Sequence, residues 1–340
     1  MNQTHKIRLS DIAEKLGVST VTVSKAIADK DGVSDELREK IKRLAADMGY
    51  RQKSTKVASL RKENSTGNIG IIIPSRFFER ATSFYWSMYN ALSKELISNG
   101  YYAIMEQLDA KEEFDLAIPH VIQDHKVDGV ILLGQLSNDY ARYFLKHYSN
   151  FIFMDFYINE ENTDSVTTDN FYSEYLITQY LISQGHRDIR FVGNFNATTS
   201  INDRFMGFMK AMLENGLHVS YDEIINDRDK RGFYSPIQLP KKMPSAFVCN
   251  CDETAVRLIE VLNKNGYSVP KDISVVGFDN FVSSGSVNPP LTTVEVDSEE
   301  SARAAVELLL KKITGQPYTH GLTVIAGKLI FGDSVKKITL

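Results

Sequence analysis

The sequence is short of the features that most often decide a protein's class. Only two of its 340 residues are cysteine, Cys249 and Cys251. One residue apart on what reads as a strand, they are badly placed to bridge each other and too few to hold zinc. A disulfide-built secreted fold is not expected. The polar stretch Met1–Ser10 has no signal-like apolar run, so the cytoplasm is the expected compartment. No segment approaches the roughly 18 consecutive apolar residues of a membrane span. Catalytic signatures are missing as well: Gly-x-Ser-x-Gly, a P-loop, His-Glu-x-x-His, and a Gly-x-Gly-x-x-Gly turn after the apolar run Ile69–Ile73. The seven histidines are scattered, and His186 after Gly185 reads as structural. An enzyme is not expected, nor a cofactor or a metal.

What is present is an ordinary globular composition, 43% hydrophobic and 24% charged, in a chain long enough for two or three domains. Charge is divided unevenly. Residues 1–64 hold 14 Lys and Arg against 9 Asp and Glu, while the remainder is acidic. A basic head on an acidic body suits a polyanion at one end only.

Three short helices read between Leu9 and Tyr50. Ser10 is a candidate N-cap for a helix from Asp11, with Ile12, Ala13 and Leu16 on one face and Gly17 ending it. Ser19 caps a second helix, Thr20 to about Ala28, whose inward face is Val23, Ala26 and Ile27. Ser34 caps a third, with Asp35 and Glu36 in its first turn and an apolar stripe of Leu37, Ile41, Leu44 and Met48. A helix, a tight glycine turn and a helix form the unit that lays its second helix in a major groove. The outer face of that second helix holds Thr20, Val21, Thr22, Ser24 and Lys25, without an acid. Thr22 and Ser24 suit phosphates, Lys25 suits guanine O6 or N7, and Val21 suits a thymine methyl. A plain three-helix bundle with a neutral surface is the alternative on spacing alone.

The stretch Leu9-Ser-Asp-Ile-Ala-Glu-Lys-Leu-Gly-Val-Ser-Thr-Val-Thr-Val-Ser-Lys-Ala-Ile-Ala28 resembles the DNA-reading head of the lactose/galactose repressor family, as do Val33-Ser34, the run Arg38–Ile41 and Gly49-Tyr50. The resemblance implies that Thr20, Val21 and Lys25 read bases and that Thr22 and Ser24 hold the backbone. Ser10 and Ser19, at the helix starts, join this DNA-facing set. Lys25 stands where many members carry arginine, and a lysine lacks the bidentate fork. Residues 51–67 read as a flexible linker, rich in Lys, Ser and Thr. Within it, Val57–Arg61 resembles the family's hinge helix, which implies Leu60 as a minor-groove wedge. The spacing from Tyr50 is one residue long, and the usual proline is absent.

From Asn68 onward, short apolar runs alternate with amphipathic stretches. Ile69–Ile73, Tyr102–Met105, Gly129–Leu133 and Phe151–Met154 read as buried parallel strands, with helices Trp86–Ser98 and Phe114–Asp124 between them. A second series comprises Ser165–Thr168, Ile189–Val192, Ala246–Cys249 and Ile273–Gly277, with helices Glu174–Ser183, Arg204–Asn215 and Glu253–Asn265. The fold class is therefore α/β: an all-α helix-turn-helix head plus two doubly wound parallel-sheet lobes with a cleft between them.

This body resembles the same family and periplasmic sugar-binding proteins, through Val127–Leu133, Gly185–Arg187, Cys251–Ala255, Asp272–Asp279 and Pro289–Val294. The resemblance implies three crossings between lobes, expected near residues 163, 292 and 322. The head is then 1–50, the first lobe 68–163 plus 293–322, and the second lobe 164–292 plus 323–340. It also implies that Asp155, Arg204 and Asp279 bind an effector, to which Asp252 of the strand-end motif is added. Carboxylates accept from sugar hydroxyls and arginine donates a planar fork. Phe84, Tyr85 and Trp86 cluster at a helix start, and Phe84 and Trp86 are candidates to pack on a pyranose face; core or dimer surface is the alternative. Cys251 replaces a usual Asn or Ser, Gly332 a usual Arg, and residues 226–244 look shortened. The expected function is a sequence-specific homodimeric repressor of operator DNA, controlled by a sugar or sugar phosphate. A nucleobase or protein co-effector remains an alternative, and a pure solute-binding protein a remote one. With no leucine heptads at its end, no tetramerising coiled coil is expected.

Overall fold

The computed structural model describes residues 9–27, 30–48, 65–78, 84–281 and 288–338. The expected hinge helix and Leu60 lie outside these residues. The chain divides into two compact units, residues 1–59 and 60–340, and each is described by itself.

The first unit is three helices: α1 (Leu9–Leu16), α2 (Thr20–Ile27) and α3 (Asp35–Asp47). Gly17 has φ 63° and ends α1. The N–H of Val18 reaches back to the carbonyl of Ala13 at 3.1 Å and that of Gly17 to Glu14 at 3.3 Å. This is the Schellman closure that a left-handed glycine permits. Ser19 Oγ accepts from the N–H of Thr22 at 3.0 Å and so caps α2. Arg38 ties the loop before α3, donating through Nη2 to the carbonyls of Lys30 and Val33. Ile12, Ala13, Val23, Ala26, Ile41 and Ala45 form the core. One cap differs from expectation. Ser10 lies inside α1, its hydroxyl on Asp11 Oδ1 at 3.1 Å, because the helix already includes Leu9.

The second unit has two lobes. The first is built on β1 (Asn68–Pro74), β2 (Tyr102–Leu108), β3 (Gly129–Leu133), β4 (Phe151–Met154), β5 (Asp164–Thr168) and β10 (Gly321–Ile325). They form one parallel sheet in the order β10-β5-β4-β3-β1-β2. Its helices are α4 (Phe84–Ser98), α5 (Ala110–Phe114), α6 (His120–Gln123), α7 (Asn138–His147) and α11 (Ser298–Thr314). The second lobe holds the parallel strands β6 (Ile189–Val192), β7 (Ala246–Cys249) and β8 (Ser274–Val276). A bridge from Val276 to Thr292 leads to β9 (Thr293–Glu295), which pairs antiparallel with β11 (Lys328–Ile330). Its helices are α8 (Asn170–Ser183), α9 (Thr199–Glu214) and α10 (Asp252–Lys264). The inner strands of each sheet are buried between helices, which is why they read as unbroken apolar runs. The edge strands β2, expected to be buried, and β10 are largely half-buried or exposed.

Three expectations are corrected. Ser165–Thr168 belongs to the first sheet, paired with β4 and β10, so the chain crosses after Thr168. The other crossings fall between Glu295 and Ser298 and between Ile325 and Lys328, each a few residues beyond the expected 292 and 322. Finally, the helix expected over 114–124 is two short ones. Leu116 takes φ 55° and Pro119, which lacks an N–H, opens α6. Residues 226–244 contain no helix; a bridge between Arg228 and Tyr234 folds them into a hairpin.

Candidate functional site

In the head, α2 exposes the face expected to meet DNA. Thr20, Val21, Ser24 and Lys25 are exposed and Thr22 is part-buried, while Val23 and Ala26 are buried. Val21 is 62% exposed, unusual for a valine in a helix with a core to join. Ser19 and Thr22 share a hydroxyl hydrogen bond of 2.8 Å at the N-terminus of α2. Ser10 and Ser19 are exposed, each with its hydroxyl engaged locally.

In the body, a cavity of about 120 Å3 lies between the lobes. Four of the six expected effector residues line it: Phe84, Asp155, Arg204 and Asp279. Asp155 follows β4 with φ 66°, and Asp279 follows β8 with φ 107°. Both conformations are strained for a non-glycine residue and aim a carboxyl at the cleft. Arg204 sits in the second turn of α9, 5% exposed, with its guanidinium held on every side. Nε donates to Asn170 Oδ1 at 2.8 Å, Nη1 to the carbonyl of Asn250, and Nη2 pairs with Asp279 Oδ1 at 3.3 Å. Its guanidinium carbon lies 3.7 Å from the centre of the Phe278 ring.

Burial pushes the carboxyl of Asp279 up to about 7, against the pull of Arg204 and with a further push from Asp155. Asp155 is raised by burial too, although Arg204 and a 2.8 Å hydrogen bond from Tyr85 oppose it. Tyr85 stacks on Phe77 with centroids 4.3 Å apart. Phe84 meets Phe281 edge-on at 6.5 Å, across the cleft.

Two expected residues lie elsewhere. Trp86 is one position further round α4 and packs on Phe78 and Tyr89, at 4.9 and 5.9 Å. Asp252 is 1% exposed beneath the cavity wall. It accepts from the Thr293 hydroxyl at 2.6 Å and donates its N–H to the Phe278 carbonyl at 2.7 Å, which ties β8 and β9 to α10. In exchange, the cavity recruits Tyr85, named from sequence only as a member of the aromatic cluster, and Arg76, Phe77, Arg228 and Tyr234, none chosen from sequence as a site residue. Arg228 stands in a charged run that reads as solvated loop; the only hint was the lost crossover helix around it.

Below the cavity lies Glu174 of α8, fully buried, with neither carboxyl oxygen partnered among the described residues. Burial raises its pKa well above the ordinary value, Arg204 opposing and Asp279 adding to the rise. A raised folded pKa stabilises the fold at acid pH, and that contribution is lost as pH climbs above the unfolded value of about 4.3. Glu174→Gln is therefore expected to gain stability relative to wild type as pH rises from 5 to 8, by at most about 1.4 kcal/mol per pH unit. Denaturation midpoints across that range measure it; parallel curves would mean the carboxyl is charged in the native state.

Two contacts join the lobes beside α9. Gln135 Oε1 accepts from the N–H and hydroxyl of Thr199, at 2.9 and 3.2 Å. Tyr157 donates to Asp203 Oδ1 at 2.8 Å. The helix that lines the cavity is thus also the one latched to the opposite lobe.

The chain matches two family models, bacterial regulatory proteins of the lacI family over residues 8–53 and the periplasmic binding protein-like domain over 178–335. The HTH-type transcriptional repressor PurR of Histophilus somni strain 129Pt is 28% identical over 345 residues, 97% of this chain and 99% of that protein. A lac repressor dimer bound to operator and the anti-inducer ONPF aligns with TM-score 0.66 at 21% identity, over 98% of this chain and 100% of that one. The transcriptional regulator CelR in complex with cellobiose aligns equally well, TM-score 0.66 at 21% identity, over 96% of this chain and 99% of that one. Helix-turn-helix head, twin parallel lobes and whole-length relatives agree, and the chain is a DNA-binding transcriptional regulator of the lacI family.

Proposed function

We propose that the protein is a homodimeric repressor whose hold on a pseudo-palindromic operator is set by a planar heterocycle of the nucleobase class, bound between the lobes. The lining of the cavity carries this reading. Five aromatic rings face it, Phe77, Phe84, Tyr85, Tyr234 and Phe281. Its polar groups are largely committed to one another: Arg204 to Asn170, Asn250 and Asp279, Asp155 to Tyr85, Thr198 to Ser200. A polyhydroxyl ligand needs a partner for each buried hydroxyl. A flat ring with few polar atoms needs mainly aromatic area and a short polar edge. Similarity over nearly the whole chain to repressors named PurR supports looking beyond sugars.

Carbohydrate is the second reading, favoured by the cellobiose complex of a regulator with the same fold. Aromatic faces also pack on pyranose rings. Thermal-shift screening of the full chain against nucleobases, monosaccharides and disaccharides separates the two. Ligand at 100 times its Kd stabilises a protein by about 2.7 kcal/mol, an easily read shift. A shift with bases alone supports the heterocycle; a shift with sugars alone would replace it.

In the head, Thr20, Val21 and Lys25 are proposed to read base edges, with Thr22, Ser24, Ser10 and Ser19 at the backbone and Leu60 as the minor-groove wedge. Control follows if the effector prefers one lobe angle. The Gln135–Thr199 and Tyr157–Asp203 contacts then form or break with closure, and the effector's differential affinity becomes the coupling energy.

A further inference from the structure

Arg228 is the most elaborately positioned side chain of the cleft. Asp227, wholly buried, accepts from its Nε at 2.9 Å and its Nη2 at 2.7 Å. Asp227 is fixed in turn by the Thr254 hydroxyl at 2.5 Å, the Asn250 amide at 2.9 Å and the N–H of Asn194 at 3.1 Å. Burial works against its charge, yet Arg228 and these donors hold its carboxyl below the ordinary range. The Tyr234 ring lies 4.4 Å from the Arg228 guanidinium carbon and 4.5 Å from that of Arg257. Nη2 also reaches Asn250 Oδ1 at 3.1 Å and Thr254 Oγ1 at 3.3 Å. The remaining nitrogen, Nη1, donates to no described residue, although the side chain is only 9% exposed and lines the cavity.

A buried guanidinium with one edge clamped and one nitrogen turned to a cavity is a rigid donor without an acceptor. A ligand that fills the cavity and covers Nη1 without offering an acceptor would bury an unmet donor, at a cost of about 1–3 kcal/mol, more when it is charged, so the cavity favours a ligand with an acceptor atom there. Asp279 faces the same cavity as an acceptor, near enough for Arg228 to be among the charges acting on its carboxyl. A donor-only group and an acceptor lining one cavity suit a ring that carries both a carbonyl and an N–H. A hydroxyl, which serves either role, would not need that polarity.

We propose that Arg228 is a specificity-determining residue of the cleft, its Nη1 donating to a ring carbonyl oxygen of the effector. The proposal rests on the heterocycle reading above and adds which edge of the ring is selected.

The test uses a matched pair, hypoxanthine against adenine, in which an amino group replaces the one ring carbonyl. Calorimetry on the full chain is expected to give a preference of at least about tenfold for a carbonyl member, since an amino group would face a donor with a donor. Removing the arginine alone would strand Asp227, so the informative variant is Asp227→Asn with Arg228→Met, which leaves no buried charge. In it the preference should shrink to within about threefold. Arg228→Lys, which keeps the charge and loses the fork, should lower it too and serves if the double variant fails to fold. A wild-type chain that binds hypoxanthine and adenine alike, or variants that keep the preference, would overturn the assignment while leaving the heterocycle reading intact. Binding of sugars and of no base would overturn both.

Discussion

Asp279→Asn is expected to weaken effector binding at least about thirtyfold, the loss of one charged hydrogen bond in a buried site, while operator affinity without effector stays within about twofold. The asparagine keeps the shape and the φ of 107° but removes the acceptor charge that Arg204 and the cavity share. Alanine is the poorer choice. Both changes remove the counter-ion of Arg204, but alanine would also leave its Nη2 without an acceptor and open a void, which would confuse binding with unfolding, whereas the asparagine Oδ1 still accepts. The pH profile supplies a second reading. With its carboxyl pushed up to about 7 by burial, Asp279 carries a proton in much of the free protein at and below neutrality. A ligand that donates to the carboxylate should therefore bind more tightly as pH rises from 6 to 8, and the Asn variant should lose that slope. Calorimetry at three pH values reads both effects; a flat wild-type profile would place the ligand contact elsewhere.

The second large effect is expected in the head. Lys25→Ala should cost about 1–3 kcal/mol at the operator, about five- to 150-fold, and relax the choice of base at one position. Lys25 is exposed on a helix with no acid, and its Nζ lies toward Gly32. It is free to swing to a base or to a phosphate. The salt dependence tells these apart. A phosphate contact lowers affinity for all sequences and reduces the slope of log K against log salt by about one. A base contact changes which operators are bound. Fluorescence anisotropy over a salt series, on the preferred site and on one changed at each position, reads the difference.

The head was legible because its signals are local. Ser19, Gly17 and the acid pair Asp35 and Glu36 act within a turn of where they stand, and each does in the structure what its chemistry predicts. The strands were legible for a similar reason, since burial on both faces leaves an apolar run. That same uniformity hid their allegiance. Ser165–Thr168 looks like a strand of either lobe, and only its pairing with β4 and β10 assigns it. The cleft was half legible. Asp155 and Asp279 stand at strand ends, where doubly wound sheets bind ligands. Trp86 misled because an aromatic cluster on a helix spreads over 100° per residue, and only Phe84 and Tyr85 turn to the cavity. Asp252 misled because a carboxyl in a strand-end motif looks the same from sequence whether it faces ligand or braces the wall. Arg228 was invisible for the opposite reason: a run of charges reads as solvent-facing unless one knows that Asp227 is buried beside it.

The central claim is that the cleft controls the head. It is tested by the affinity of the full chain for an operator selected from random DNA, measured with and without a saturating ligand from the thermal-shift screen. A coupling of about 1–3 kcal/mol is expected, a five- to 150-fold change in operator affinity, abolished by Asp279→Asn. Equal operator affinities with and without a ligand known to occupy the cleft would contradict the account.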